Sequence, residues 1–89
     1  MHHEHLRDCI DACTRCHHLC AETLDYCLEK GHNKPAHIRL LQDCIEICQT
    51  SADFMLRGSD LHALTCRVCA DVCQRCADDC RQYGDDQMN

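Results

Sequence analysis

Cysteine recurs at a helical period along most of this chain: Cys9, Cys13, Cys16, Cys20 and Cys27, then Cys44 and Cys48, then Cys66, Cys69, Cys73, Cys76 and Cys80. With Cys9 at zero and about 100° per residue, Cys13 falls near 40°, Cys16 near −20°, Cys20 near 20° and Cys27 near 0°. Five thiols therefore share one narrow stripe. Leu6, Ile10, Leu24 and Leu28 lie about 60–100° around the same helix, and Asp11, His18, Glu22, Asp25 and Glu29 lie opposite, as expected for an inward thiol face and a solvated acidic one. Cys66 to Cys80 occupy an arc of about 80°, with His62 in that arc one turn earlier. Cys44 and Cys48 share their direction with His37, Leu41, Ser51 and Met55. No strand pattern is present.

Two breaks divide the helical pattern. Gly31 follows Glu29-Lys30 as a helix C′ residue, and Pro35 suits the first turn of the next helix. Gly58 ends the second helix in Arg57-Gly58-Ser59-Asp60, where Ser59 can cap the third and Asp60 sits near its positive end. The expected spans are about 4–30, 35–57 and 60–83, and Asp85-Asp86-Gln87-Met88-Asn89 after Gly84 reads as the capped opening of a fourth. Short links favour antiparallel neighbours. The fold class is therefore all-α: an antiparallel up-and-down bundle of the four-helix type, with three full helices plus the start of a fourth, forming one domain over 1–89. Cys9-x3-Cys13-x2-Cys16-x3-Cys20 repeats as Cys69-x3-Cys73-x2-Cys76-x3-Cys80, an internal repeat of a helical unit.

Twelve cysteines in 89 residues, beside two Tyr, one Phe and no Trp, mean that cysteine fills much of the interior. Buried free cysteine behaves as a small hydrophobe, but a register of twelve packs less well than Leu or Ile would, and that points to chemistry. The N-terminus carries neither a secretory apolar run nor a twin-arginine signal, so a reducing cytoplasm is the expected address, where thiols or metal ligands are favoured over disulfides. No apolar stretch approaches the roughly 20 residues needed to cross a bilayer. A net charge of −6 with scattered Lys and Arg argues against nucleic acid.

Thiols at i and i+4 are neighbours with Cβ atoms about 5–6 Å apart, so each Cys-x3-Cys offers two sulfurs to one ion and the facing helix can offer more. Thiolate is a soft ligand that favours Cu(I), Zn or iron–sulfur clusters. A sulfur-lined channel suits a row of two-coordinate Cu(I) ions better than tetrahedral Zn, which would require four donors converging at each site. The alternatives are a disulfide-bonded helical scaffold, which usually needs four cysteines rather than twelve, and a Zn or iron–sulfur protein. The Cys-x2-Cys-x2-Cys-x3-Cys-Pro run of bacterial ferredoxins is absent. A metallothionein-like coil would lack the helix caps and leucine stripe seen here. Nothing points to an enzyme.

The run Cys9-Ile10-Asp11-Ala12-Cys13-Thr14-Arg15-Cys16, the segment from Ile38 through Asp43-Cys44-Ile45-Glu46-Ile47-Cys48, and Cys66-Arg67-Val68-Cys69-Ala70-Asp71-Val72-Cys73 resemble the bacterial four-helix-bundle copper storage proteins, cytosolic branch, over nearly the whole chain. The resemblance implies storage of many Cu(I) ions on the twelve cysteines along the bundle axis and a homo-oligomer, commonly a tetramer. It also implies a fourth cysteine-bearing helix. His37 stands where relatives can carry a ligand cysteine, and Ser51 brings no thiol to its place.

Met55, His37, His62 and His5 are possible additional ligands. His62 and His37 lie on ligand faces near helix starts, and Met55 offers a soft thioether on the thiol side. His2 and His5 lean toward the thiols at the chain terminus. His17, His18 and His32 receive no role.

Overall fold

The computed structural model describes residues 2–83, with side chains described for residues 6–82. The helices are α1, His2–Lys30, α2, Pro35–Leu56, and α3, His62–Tyr83, with no strand among the described residues. The expected all-helical bundle is what the chain forms. The suggested fourth-helix opening at Asp85 to Asn89, and the side chains of His2, His3 and His5, lie outside the described residues.

Both glycine breaks have the same construction. After α1 the His32 N–H donates to the Cys27 carbonyl at 2.8 Å and the Gly31 N–H to that of Leu28 at 3.4 Å. After α2 the Ser59 N–H reaches the Phe54 carbonyl at 3.0 Å and the Gly58 N–H that of Met55 at 3.1 Å. Each is a Schellman closure, which needs a left-handed residue at C′, and Gly31 and Gly58 supply it at φ 76° and 67°. Pro35 opens α2, where a missing N–H costs nothing. Ser59 does accept a bond at the start of the third helix, from the Leu61 N–H at 3.1 Å, but it closes a turn. The helix proper begins at His62 rather than at residue 60.

The shape is that of one helix length: 45 × 18 × 17 Å, against about 43 Å for 29 residues at 1.5 Å rise. α2 is the common wall, its backbone packed along both α1 and α3. Its buried residues His37, Leu41, Cys44, Cys48, Ser51, Ala52 and Met55 follow a spacing of three and four that keeps a single seam inward. The same spacing runs through Cys9, Cys13, Cys16, Cys20, Thr23 and Cys27 in α1 and through His62, Cys66, Cys69, Cys73, Cys76 and Cys80 in α3. Thr23 takes the place where a thiol is skipped; it is buried, and its hydroxyl donates to the Leu19 carbonyl at 2.8 Å.

Leu41 is the one leucine among the fully buried side chains, the others being Met55, Cys27, Cys44, Cys48 and Ser51. Each thiol contributes less than the roughly 1.5–3 kcal/mol gained by burying a leucine. The core is therefore built from weak contributions. Leu19, Leu28, Leu56, Leu61, Leu64 and Val68 remain about half exposed. Leu28, expected beside the thiols, is among them, whereas Ile10 is buried and Leu24 half-buried. The α1 stripe is thus apolar on one flank only where α2 reaches it. His17 fixes that flank, its Nδ1–H donating to the Ile45 carbonyl at 2.9 Å across the α1–α2 interface.

Candidate metal site

The three seams meet in one array of sulfur. Cys13 Sγ lies 3.8 Å from Cys69 Sγ, and Cys48 Sγ 3.7 Å from the same atom. Cys16 Sγ is 3.7 Å from Cys44, 3.5 Å from Cys73 and 4.0 Å from Cys20. Cys73 Sγ is 3.5 Å from both Cys44 and Cys48 and 3.8 Å from Cys69. Cys16, Cys44, Cys48 and Cys73 form one close set and Cys20, Cys44 and Cys76 another, with Cys44 common to both. All twelve cysteines are free thiols.

The levels of the array differ from those suggested by the sequence repeat. That repeat aligns Cys9 with Cys69, whereas in space Cys13 meets Cys69 and Cys16 meets Cys73. The two parallel helices are offset by one rung. The cause is the shared wall: α2 presents Cys48 to Cys69 and to Cys73, and Cys44 to Cys16 and to Cys73, so its thiols set the level of both neighbours.

On the side away from α2 the array is open. One groove of about 200 Å³ is lined by Cys16, Leu19, Cys20, Cys44, Cys73, Cys76, Ala77, Cys80 and Arg81. A second, of about 240 Å³, is lined by Cys9, Ala12, Cys13, Met55, Cys66, Cys69, Ala70 and Cys73. Both lie between α1 and α3. Ions delivered there would meet sulfur directly.

Proton affinities follow from crowding. Cys16 is held far below an ordinary thiol because Cys20, Cys44, Cys48 and Cys73 can all direct S–H groups at it. Its neighbours move the opposite way: Cys48 and Cys73 are raised by the same contacts and by burial. One thiolate is thereby stabilised among several thiols. Burial, with the nearby Cys69 charge, pushes Cys13 up to about 12. Cys80 is lowered to about 7, first by the Cys76 thiol and then by the charge of His37. Thiolate is the form that binds metal, so a cluster that holds one thiolate among several thiols presents a donor to an incoming ion.

Each candidate ligand can now be placed. Cys20, Cys27, Cys44, Cys48, Cys69, Cys76 and Cys80 are buried, Cys13, Cys16, Cys66 and Cys73 half-buried, and Cys9 exposed. Met55 is fully buried and forms part of the second groove. Ser51, without a thiol, donates its hydroxyl to Cys66 Sγ at 3.4 Å. His62 has a buried Nδ1 with no hydrogen-bond partner among the described residues. His37 is buried, with Nδ1 2.7 Å from Asp79 Oδ2. His5 lies outside the described side chains.

A family model described as copper storage protein matches residues 2–89. The chain belongs to the copper storage protein family. No curated protein and no solved structure matches it. Storage rather than catalysis is that family's business, and the clustered cysteines are compatible with copper binding. Among the described residues no helix is long and apolar enough to cross a membrane.

Sequence reasoning overlooked three polar members of this copper-storage scaffold. Thr23 lies about 40° from Cys9 on the α1 wheel and could have been found by completing the three-and-four spacing. Asp79 lies about 60° from Cys76, beside the stripe, where a carboxylate can reach α2. His17 received no role, because its carbonyl partner on α2 depends on helix register, which the α1 sequence does not contain.

Proposed function

We propose that the chain stores multiple Cu(I) ions as thiolate complexes along its sulfur array, with the twelve cysteines as ligands and Met55, His37 and His62 as supplementary donors. The observation that carries this reading is the continuity of the array: thiols from three helices approach to 3.5–4.0 Å over successive levels. A soft, closed-shell ion of low coordination number can bridge such neighbours in a row, each thiolate serving two ions. Binding releases the thiol protons and links metal loading to stability.

The chain acts as one domain and as a homo-oligomer, for which the half-exposed leucines and Val68 provide apolar surface. The cytoplasm is its compartment, because a store built on free thiols requires reducing conditions. Anaerobic titration of the reduced protein against a colorimetric Cu(I) chelator tests the storage reading. Saturation of the order of one Cu(I) per cysteine is expected. Saturation at one or two ions would replace a store with a carrier.

A further inference from the structure

One level of the array differs in kind from the rest. Cys16, Cys44, Cys48 and Cys73 place four sulfurs within 4.8 Å of one another, drawn from all three helices. Four of the six edges measure 3.5, 3.5, 3.5 and 3.7 Å. Elsewhere among the described residues the sulfurs meet in pairs or in threes, as in Cys20, Cys44 and Cys76 or Cys48, Cys69 and Cys73. A row of two-coordinate ions does not require four donors to converge.

The size of the quartet is the argument. A regular tetrahedron with edges of 3.5–3.7 Å has its centre about 2.1–2.3 Å from every vertex, and the two remaining edges, each within 4.8 Å, widen that to about 2.6 Å at most, a range that includes the Zn–S bond length of about 2.3 Å. A tetrahedral Zn2+ would fit with little movement of the helices. Charge favours a divalent occupant too. Four thiolates around a monovalent ion hold a net charge of −3, around a divalent ion −2, and each uncompensated buried charge is costly. The donors are also fixed in place: Cys44 and Cys48 are fully buried, one turn apart on α2, and Cys16 and Cys73 close the set from either side.

We propose that Cys16, Cys44, Cys48 and Cys73 form a tetrathiolate site for one divalent, tetrahedral metal ion of the zinc class, distinct in geometry and charge from the sites for stored Cu(I). The site takes one ion per chain, ties α1, α2 and α3 together at mid-height, and on binding releases the protons still held by its thiols. Cu(I), binding the same sulfurs, displaces this ion as the store fills.

Co2+ is a direct probe, because tetrahedral thiolate coordination gives intense visible bands and a sulfur-to-metal charge-transfer band that octahedral Co2+ lacks. Anaerobic titration of the reduced full chain is expected to saturate these bands at one Co2+, with stoichiometric bleaching by Zn2+. Cys48→Ser and Cys73→Ser, each verified as helical by circular dichroism, should shift the bands and weaken Zn2+ binding by more than the roughly 10–100-fold seen when an outer-shell partner is lost. Weak octahedral bands, or tetrahedral bands unchanged by both substitutions, would overturn the proposal. The Cu(I) stoichiometry is measured separately, so a chain that stores copper but fails this test rejects the zinc-class site alone.

Discussion

The two ends of the sulfur array contain the same kinds of residue in opposite circumstances. Where α1 finishes and α2 begins, Cys27 and Cys80 are buried and His37 is tied to Asp79. Where α1 begins and α2 finishes, Cys9 is exposed, Cys13 and Cys66 are half-buried, and the His62 Nδ1 has no partner among the described residues. Connectivity does not explain the contrast, because each end carries one Schellman-closed link: residues 31–34 join α1 to α2 and residues 57–61 join α2 to α3. The difference lies in the side chains: the buried His37 is paired with Asp79 at the Cys27 end, whereas the Cys9 end has an exposed thiol and an unpartnered His62 Nδ1 among the described residues. Metal exchange is therefore expected to be faster at the Cys9 end.

Thiol reactivity gives the largest test of that asymmetry. Timed iodoacetamide labelling of the reduced, metal-free chain, read by peptide mass spectrometry, should modify Cys9 well before Cys27. Cys27, at 2 % exposure, requires local opening. If that opening costs about 3 kcal/mol, labelling slows by about 100-fold. Equal rates at Cys9 and Cys27 would break the comparison, since both ends would then open together.

Next in size is the His37–Asp79 contact. Asp79→Ala removes the carboxylate that satisfies a buried imidazole nitrogen, and an unsatisfied buried donor costs about 1–3 kcal/mol. Urea unfolding of the metal-free chain should report a loss in that range. Asp78→Ala is the matched control, one residue away. Asp78 contacts Arg81, but both side chains are more than half exposed, so this change should cost no more than about 0.5–1 kcal/mol. A larger loss for Asp78 than for Asp79 would mean that the closed end is held by its surface rather than by the buried pair.

These particulars show how far the sequence could be read. Helix spans, both glycine closures and the inward thiol stripe were legible because each depends on residues within about seven positions of one another. The stripe also predicted that His37, Ser51 and Met55 would share a face with Cys44 and Cys48, and they do. Register between helices was not legible. The internal repeat suggested that Cys9 and Cys69 are equivalent, yet α2 sets the levels and shifts the pairing by one rung. The Cys16, Cys44, Cys48 and Cys73 quartet follows from that shift. A wheel drawn for one helix cannot show four donors converging from three. Asp79 was missed for the same reason, as its partner is 42 positions away.

The smallest effect, and the finest probe of the open end, is His62→Leu. A buried Nδ1 without a partner is a cost already present in the folded chain, and replacing the ring by an apolar side chain removes it. The substitution should leave the metal-free chain unchanged or stabilise it by up to about 1 kcal/mol in urea. His37→Leu should do the opposite, because it deprives Asp79 of its partner. With Cu(I) bound the sign at His62 reverses, since a donor that ligates copper is worth more than the penalty it carried when empty. His62→Leu should then lower the melting temperature of the loaded chain relative to the unsubstituted one. If the loaded and metal-free forms respond alike, His62 takes no part in binding copper, and the donors of the open end are Cys9, Cys13, Cys66 and Met55.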